Sequence, residues 1–275
     1  MIRPTLEEFR KLAKPGALVP VYREILADLE TPVTAYMKIA RGQEYSFLLE
    51  SVERADKIGR YSFLGARPSL VFQSKGKTIT LTRDGRPSQY ESDDPLGELR
   101  KLMAGYQAVP VEGVPAFHGG AVGYMSYDQV RFFEKLPDNN PDTLDLPDLY
   151  FMVTDTILIF DHVNNRLKIV SNAHVSGETD AAYNEAVRKI DELEKALRKP
   201  LVVTTERVHS EAAADDSLIK SSLTRQQFCD AVDKAKEYIR AGDIFQVVLS
   251  QRLERPVFAS PINLYRALRC INPSP

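Results

Sequence analysis

At 275 residues, with a formal charge of −2, 43% hydrophobic and 27% charged residues, the chain has the composition of a folded protein with room for one large or two smaller domains. The near-neutral balance gives no general attraction to nucleic acid or anionic membrane, and no apolar run approaches the roughly 18–20 residues of a membrane span. Met1-Ile2-Arg3-Pro4-Thr5 leads at once to Glu7, Glu8 and Arg10, with no apolar core for a signal peptide, and Cys229 and Cys270 stand far apart outside any CxxC, so a reducing cytoplasm is the expected compartment.

Residues 5–13 read as a short helix, because Thr5 and Glu8 have capping-box spacing. From Val33 to Ile39, and again from Tyr45 to Leu49, the pattern is strand-like. A hairpin follows: Lys77–Arg83, the turn Asp84-Gly85, and a polar return strand toward Tyr90. Its two-residue turn needs positive φ at both positions, which this dipeptide supplies. Asp94-Pro95 opens a helix with the stripe Leu96, Leu99, Leu102 and Met103, and Gly105 ends it.

Thr156–Phe160, the turn His162–Asn165 and Arg166–Val170 form a second predicted hairpin. Beyond Gly177, Tyr183, Val187, Ile190 and Leu197 recur at helical spacing, and Pro200 stops that helix. Residues 199–223 carry no clear period and read as a surface connector. Thr224 and Gln227 then box the start of a helix with the apolar face Phe228, Val232, Ala235 and Ile239, closed by Gly242. Ile244–Leu249 is apolar except at Gln246, the pattern of a strand covered on both faces. Only one further helix, about Ile262 to Cys270, follows it, so the second structural unit reads as incomplete. The expected fold is α+β: antiparallel sheets stacked as a sandwich with helices outside, truncated before the last core closes.

Chemistry-bearing clusters are scarce. His118, His162, His174 and His209 lack metal-ligand spacing. Asp142, Asp145 and Asp148 read as a solvated loop, because the glycine that a calcium loop needs is missing. Arg60, Lys75 and Lys77 make no basic stripe.

Four glycine- or proline-bearing blocks remain. They are Leu48-Leu49-Glu50-Ser51-Val52-Glu53 with Gly59-Arg60-Tyr61-Ser62-Phe63-Leu64-Gly65; Phe117-His118-Gly119-Gly120-Ala121-Val122-Gly123-Tyr124 with Tyr127-Asp128-Gln129-Val130-Arg131; Gly242–Arg252; and Asn272–Pro275. Singly, each has a structural explanation: strand-loop-strand, a Gly-rich strand where backbones approach closely, a helix-to-strand corner, a Pro-bracketed loop. Together and in this order they resemble the chorismate-utilising enzymes, and among them the large subunits (component I) of anthranilate synthases. The aminodeoxychorismate synthase large subunits are the neighbouring branch; there the third block usually has Cys-Tyr and Asn where this chain has Ile244-Phe245 and Val248, and the fourth has Ala where it has Ser274.

The resemblance implies a lyase that converts chorismate and ammonia to anthranilate and pyruvate, the first step of tryptophan biosynthesis. A glutamine amidotransferase subunit (component II) would deliver the ammonia and Mg2+ would act on the chorismate carboxylates. In that family the catalytic acids, the histidine and the metal-binding glutamates lie beyond the block matching Asn272–Pro275, so the resemblance carries no catalytic residue and no metal ligand onto this chain. It implies residues 1–200 as a regulatory N-terminal domain, 201–223 as connector and 224–275 as the start of the chorismate-binding domain. It also implies an effector site for tryptophan made by Glu50, Ser51, Pro273, Ser274 and Pro275. Glu50 can pair with the ammonium, Ser51 can bond the polar end, and the prolines offer rigid apolar walls. On a regular strand Glu50 and Ser51 point to opposite faces, so both reach one ligand only where the strand ends or bulges. A plain ion pair between Glu50 and a nearby arginine is the structural alternative, and a non-catalytic amino-acid-binding module the functional one.

Overall fold

The computed structural model of the chain describes residues 1–50, 59–202 and 216–272, which fall into one compact unit over Met1–Val202 and a second over Val203–Pro273. The first unit begins with strand β1 (Ile2–Arg3) and helix α1 (Leu6–Leu12), whose Thr5–Glu8 capping box forms as expected. Strand β2 (Ala17–Leu26) follows, then helix α2 (Pro32–Ile39). That helix corrects the strand expected over Val33–Ile39. Thr31 caps it reciprocally with Thr34, Pro32 occupies its first turn, and Pro32, Val33, Ala35 and Ile39 are buried. Their helical spacing and the Thr-Pro start outweigh the β-branched composition.

Strands β3 (Ser46–Glu50), β4 (Tyr61–Ala66) and β5 (Leu70–Lys75) come next. The first predicted hairpin is β6 (Thr78–Arg83) and β7 (Arg86–Glu91), with Asp84 at φ 48° and Gly85 at φ 73° in its turn. Helix α3 (Pro95–Ala104) is capped by Asp94. Short β8 (Gln107–Ala108) and then β9 (Gly120–Met125) precede β10 (Leu149–Thr154). The second hairpin is β11 (Thr156–Asp161) and β12 (Arg166–His174), and helix α4 (Thr179–Leu197) closes the unit.

These strands build two sheets. The larger has the order β1-β2-β12-β11-β4-β3 with β8 beside β2, and the smaller has the order β7-β6-β5-β10-β9. Every pair is antiparallel except β2–β8. Strand alternation sorts the side chains into three cores. Leu158 and Phe160 of β11 join Leu64, Ile169 and Leu167 beneath α1, α2 and α4, where Phe9, Ala35 and Ile190 complete the layer. Ile157 and Ile159 face the other way, onto Met152 and Tyr150 of β10 and Val122 of β9, so the two sheets pack on each other. Leu149, Val153 and Phe72 lie under α3, on Leu99. The unit is therefore a sandwich of two sheets with helices outside both, as expected. A fully buried Leu or Ile of this kind contributes about 1.5–3 kcal/mol.

The second unit is sparse. A two-residue ladder pairs β13 (Lys220–Ser221) with β14 (Leu253–Glu254), alongside helices α5 (Arg225–Ala241) and α6 (Pro261–Ile271). Helix α5 carries the expected Thr224–Gln227 capping box, and Gly242 ends it in the left-handed conformation. The strand expected over Ile244–Leu249 does not form: that stretch is irregular, with Phe245 93% and Val248 83% exposed. A strand apolar on both faces needs neighbours to bond and layers to cover it, and the described residues of this unit supply neither.

Candidate effector site

Of the residues expected to bind an effector, Glu50 is the one the structure describes; Ser51, Pro273, Ser274 and Pro275 lie outside the described residues. Glu50 ends β3, the edge strand of the larger sheet, and is half-buried. It sits directly opposite Ser62 of β4, and Ser62 in turn sits opposite Phe160 of β11. By alternation Glu50 shares the face of Leu48, the face that carries α1, α2 and α4.

The end of the sheet beside Glu50 is polar and tightly bonded. Ser62 is buried, and its Oγ lies 2.7 Å from Nε2 of His162, which stacks near Phe160. The His162 amide donates to the Arg60 carbonyl at 2.9 Å, extending the ladder one residue past β11. Asp161 is only 4% exposed and accepts from Arg60 Nη2 at 3.1 Å, Asn164 Nδ2 at 2.9 Å and the amides of Val163 and Asn164 at 3.1 and 3.3 Å. Burial pushes the Asp161 carboxyl up, but the bonds from Arg60 and Asn164 outweigh it and hold it below the ordinary aspartate value.

That direction fixes a pH effect. A carboxyl lowered by folding adds stability above its unfolded pKa of about 3.9, and loses it as the pH falls through the lower folded value. Asp161→Ala is expected to cost about 1–2 kcal/mol at neutral pH, because it removes the buried acceptor of the bonds from Arg60, Val163 and Asn164. It should also flatten the acid limb of stability measured by urea unfolding below about pH 4. An unchanged acid limb would remove Asp161 as its source.

The second glycine block is structural. Phe117 meets Phe63 edge-on at 5.0 Å within the intersheet core, and Asn172 Nδ2 donates to the His118 carbonyl at 2.6 Å. A Cβ on Gly123 would stand 1.8 Å from the Tyr150 carbonyl oxygen, so glycine is required where β9 meets β10. The aspartate loop is solvated as expected: Asp142 and Asp145 reach Lys75, and Asp148 Oδ2 accepts the Gly76 amide at 2.7 Å. Among the described residues no three His, Cys, Asp or Glu side chains gather to hold a metal ion, and no helix is long and apolar enough to cross a membrane.

Sequence reading did not pick out the Ser62–His162 and Arg60–Asp161 contacts. His162 was legible as a turn residue, but only the register of β3, β4 and β11 places that turn beside Glu50.

The matches to known proteins agree with this architecture. The chorismate binding enzyme family matches residues 44–275, and the chain belongs to that family. Within it the chain is a homologue of anthranilate synthase component 1. It is 39% identical to the component 1 of Acetivibrio thermocellus over 278 residues, covering 100% of this chain and 56% of the relative. The component 1 of Thermus thermophilus is 41% identical over 257 residues, covering 93% of this chain and 52% of its own length. The crystal structure of anthranilate synthase component I from Streptococcus pneumoniae TIGR4 superposes with a TM-score of 0.60 at 28% identity, covering 91% of this chain and 53% of that one. The chain thus spans about half the length of the relatives it matches.

Proposed function

We propose that the chain is the N-terminal part of an anthranilate synthase large subunit, which makes anthranilate and pyruvate from chorismate and ammonia in the cytoplasm. The observation that carries this reading is the 39% identity to a component 1 relative over the whole of this chain. Ile244-Phe245, Val248 and Ser274 favour the anthranilate branch over the aminodeoxychorismate branch. A glutamine amidotransferase subunit supplies the ammonia, and tryptophan feeds back on the enzyme. Residues 1–200 are the regulatory domain, 201–223 the connector and 224–275 the opening of the catalytic domain. The apolar side chains that the second unit exposes, Phe245, Val248, Phe258, Leu268 and Ile271, suit a catalytic domain in which further chain covers them.

Magnesium supplies Lewis-acid chemistry at the chorismate carboxylates in this reading. The described residues do not fit it, since they bring no ligand cluster together. What the chain's own residues do is hold the effector: Glu50 takes the ammonium, Ser51 the polar end, and Pro273 and Pro275, either side of Ser274, wall the indole.

The test is direct. The purified 275-residue chain, given chorismate, magnesium and ammonia, is expected to produce no anthranilate fluorescence above the enzyme-free rate. The full-length product that contains it is expected to produce anthranilate. Product from the chain alone would show that it holds chemistry assigned elsewhere, and a full-length protein inert toward chorismate would overturn the function.

A further inference from the structure

We propose that strand β9, the bare edge of the smaller sheet, is the docking edge for a strand from the part of the full-length protein beyond residue 275. The proposal rests on the reading of this chain as the N-terminal part of a longer subunit. The smaller sheet runs β7-β6-β5-β10-β9, so β7 and β9 are its two edges. A strand sends its backbone N–H and C=O groups to both sides, and the ladder with β10 uses only one side of β9. The other side points to an edge where no described strand lies.

The two edges differ in chemistry. Strand β7 reads Arg86-Pro87-Ser88-Gln89-Tyr90-Glu91, with a charge at each end and a proline, which blunt pairing with another chain. Strand β9 reads Gly120-Ala121-Val122-Gly123-Tyr124-Met125, with no charge and no proline. The surface that continues it is apolar and held in shape. Tyr124 stacks on Tyr150 with ring centroids 5.8 Å apart, yet it stays 42% exposed, next to Met125 at 55%. Tyr127, 80% exposed, opens the short 3-10 helix Tyr127–Phe132, and Phe133, 63% exposed, follows it. That helix is firmly tied. The Ser126 amide donates to the Asp148 carbonyl at 2.7 Å, and Arg131 donates to Asp128 Oδ1 and the Pro137 carbonyl, both at 2.9 Å. Exposed aromatic side chains on a fixed backbone are what the core of an interface is made of. An edge this unprotected has to be covered from the time the protein is made, which a strand of the same polypeptide guarantees and a separately made partner does not. The length for such a strand exists in the relatives, since this chain covers 56% of the Acetivibrio protein and 52% of the Thermus one. Strand addition would satisfy the free backbone groups and lay side chains over Tyr124 and Met125.

Amide exchange over Gly120–Met125, compared between the full-length protein and the 275-residue chain, tests this. The amides on the open side of β9 are expected to exchange about a hundredfold or more slower in the full-length protein. Met125→Lys, which puts a charge on the edge, is expected to cut that protection about tenfold or more while the melting temperature of the 275-residue chain is unmoved. If Met125→Lys lowers that melting temperature, Tyr127→Lys at the more exposed position gives the same test. Equal exchange in the two proteins overturns the proposal. Protection that disappears on dilution gives the edge to a second copy, and protection that appears only with added component II gives it to that subunit; either result overturns the proposal. A full-length protein that is inert toward chorismate but protected at β9 defeats the functional reading and leaves the docking edge standing.

Discussion

Amide protons of Ile244–Leu249 are expected to exchange roughly a thousandfold or more faster than those of Ile157–Phe160 in the isolated chain, because local opening costs range from near zero up to the global stability of about 5–15 kcal/mol. The two segments have similar composition and opposite surroundings. Ile157–Phe160 lies in β11, bonded to β12 on one side and β4 on the other, and its four side chains are at most 2% exposed. The amides of Ile244–Leu249 make no hydrogen bond to other described residues, and Phe245 and Val248 stand almost fully in solvent. In the second unit Ala235 is the one buried hydrophobic residue among those described. Opening the first segment means breaking a core shared by two sheets, whereas the second has no core to break. Exchange measured by mass spectrometry or NMR at one pH decides it. Equal protection would mean that these residues find a closed packing in solution, and that their apolar pattern is satisfied within the 275 residues.

The same contrast explains what could be read before the fold was known. Local signals were reliable wherever the answer is local. The capping boxes at Thr5–Glu8 and Thr224–Gln227, the Asp84-Gly85 turn and the Asp94-Pro95 start all stand where their spacing put them, since each is a short-range hydrogen-bond or φ requirement. The strand pattern over Ile157–Phe160 held because β12, β4 and the facing sheet exist to pair and cover it. The equally strand-like Ile244–Leu249 failed because pairing is a property of partners, not of the run itself. At Val33–Ile39 the strand-like pattern gives way for another reason: the Thr31-Pro32 start commits the segment to a helix. Of the effector site, Glu50 was legible as a residue on a strand. The polar contacts at that end of the sheet join residues about 100 positions apart, Ser62 with His162 and Arg60 with Asp161, and emerge only from the register.

Replacing Ser51 by phenylalanine in the full-length protein is expected to relieve inhibition by tryptophan while most activity without tryptophan remains. The reasoning is spatial first. Ser51 follows Glu50, the last described residue of edge strand β3, and two neighbouring side chains reach one ligand only where a strand ends or bulges. A ring in that place fills the room an indole needs and removes a hydroxyl that bonds its polar end. Energetically the demand is small: coupling between an effector and a distant reaction typically amounts to about 1–3 kcal/mol, which the loss of a hydrogen bond and a steric clash can cancel. Activity persists because the resemblance assigns every catalytic group to sequence beyond residue 275. Direct binding can be followed as well. This chain contains no tryptophan, so within its span the bound effector is the sole indole emitter, and titration reports occupancy of the site. An inhibition constant for tryptophan unchanged by Ser51→Phe would make Ser51 a structural residue and move the effector site elsewhere.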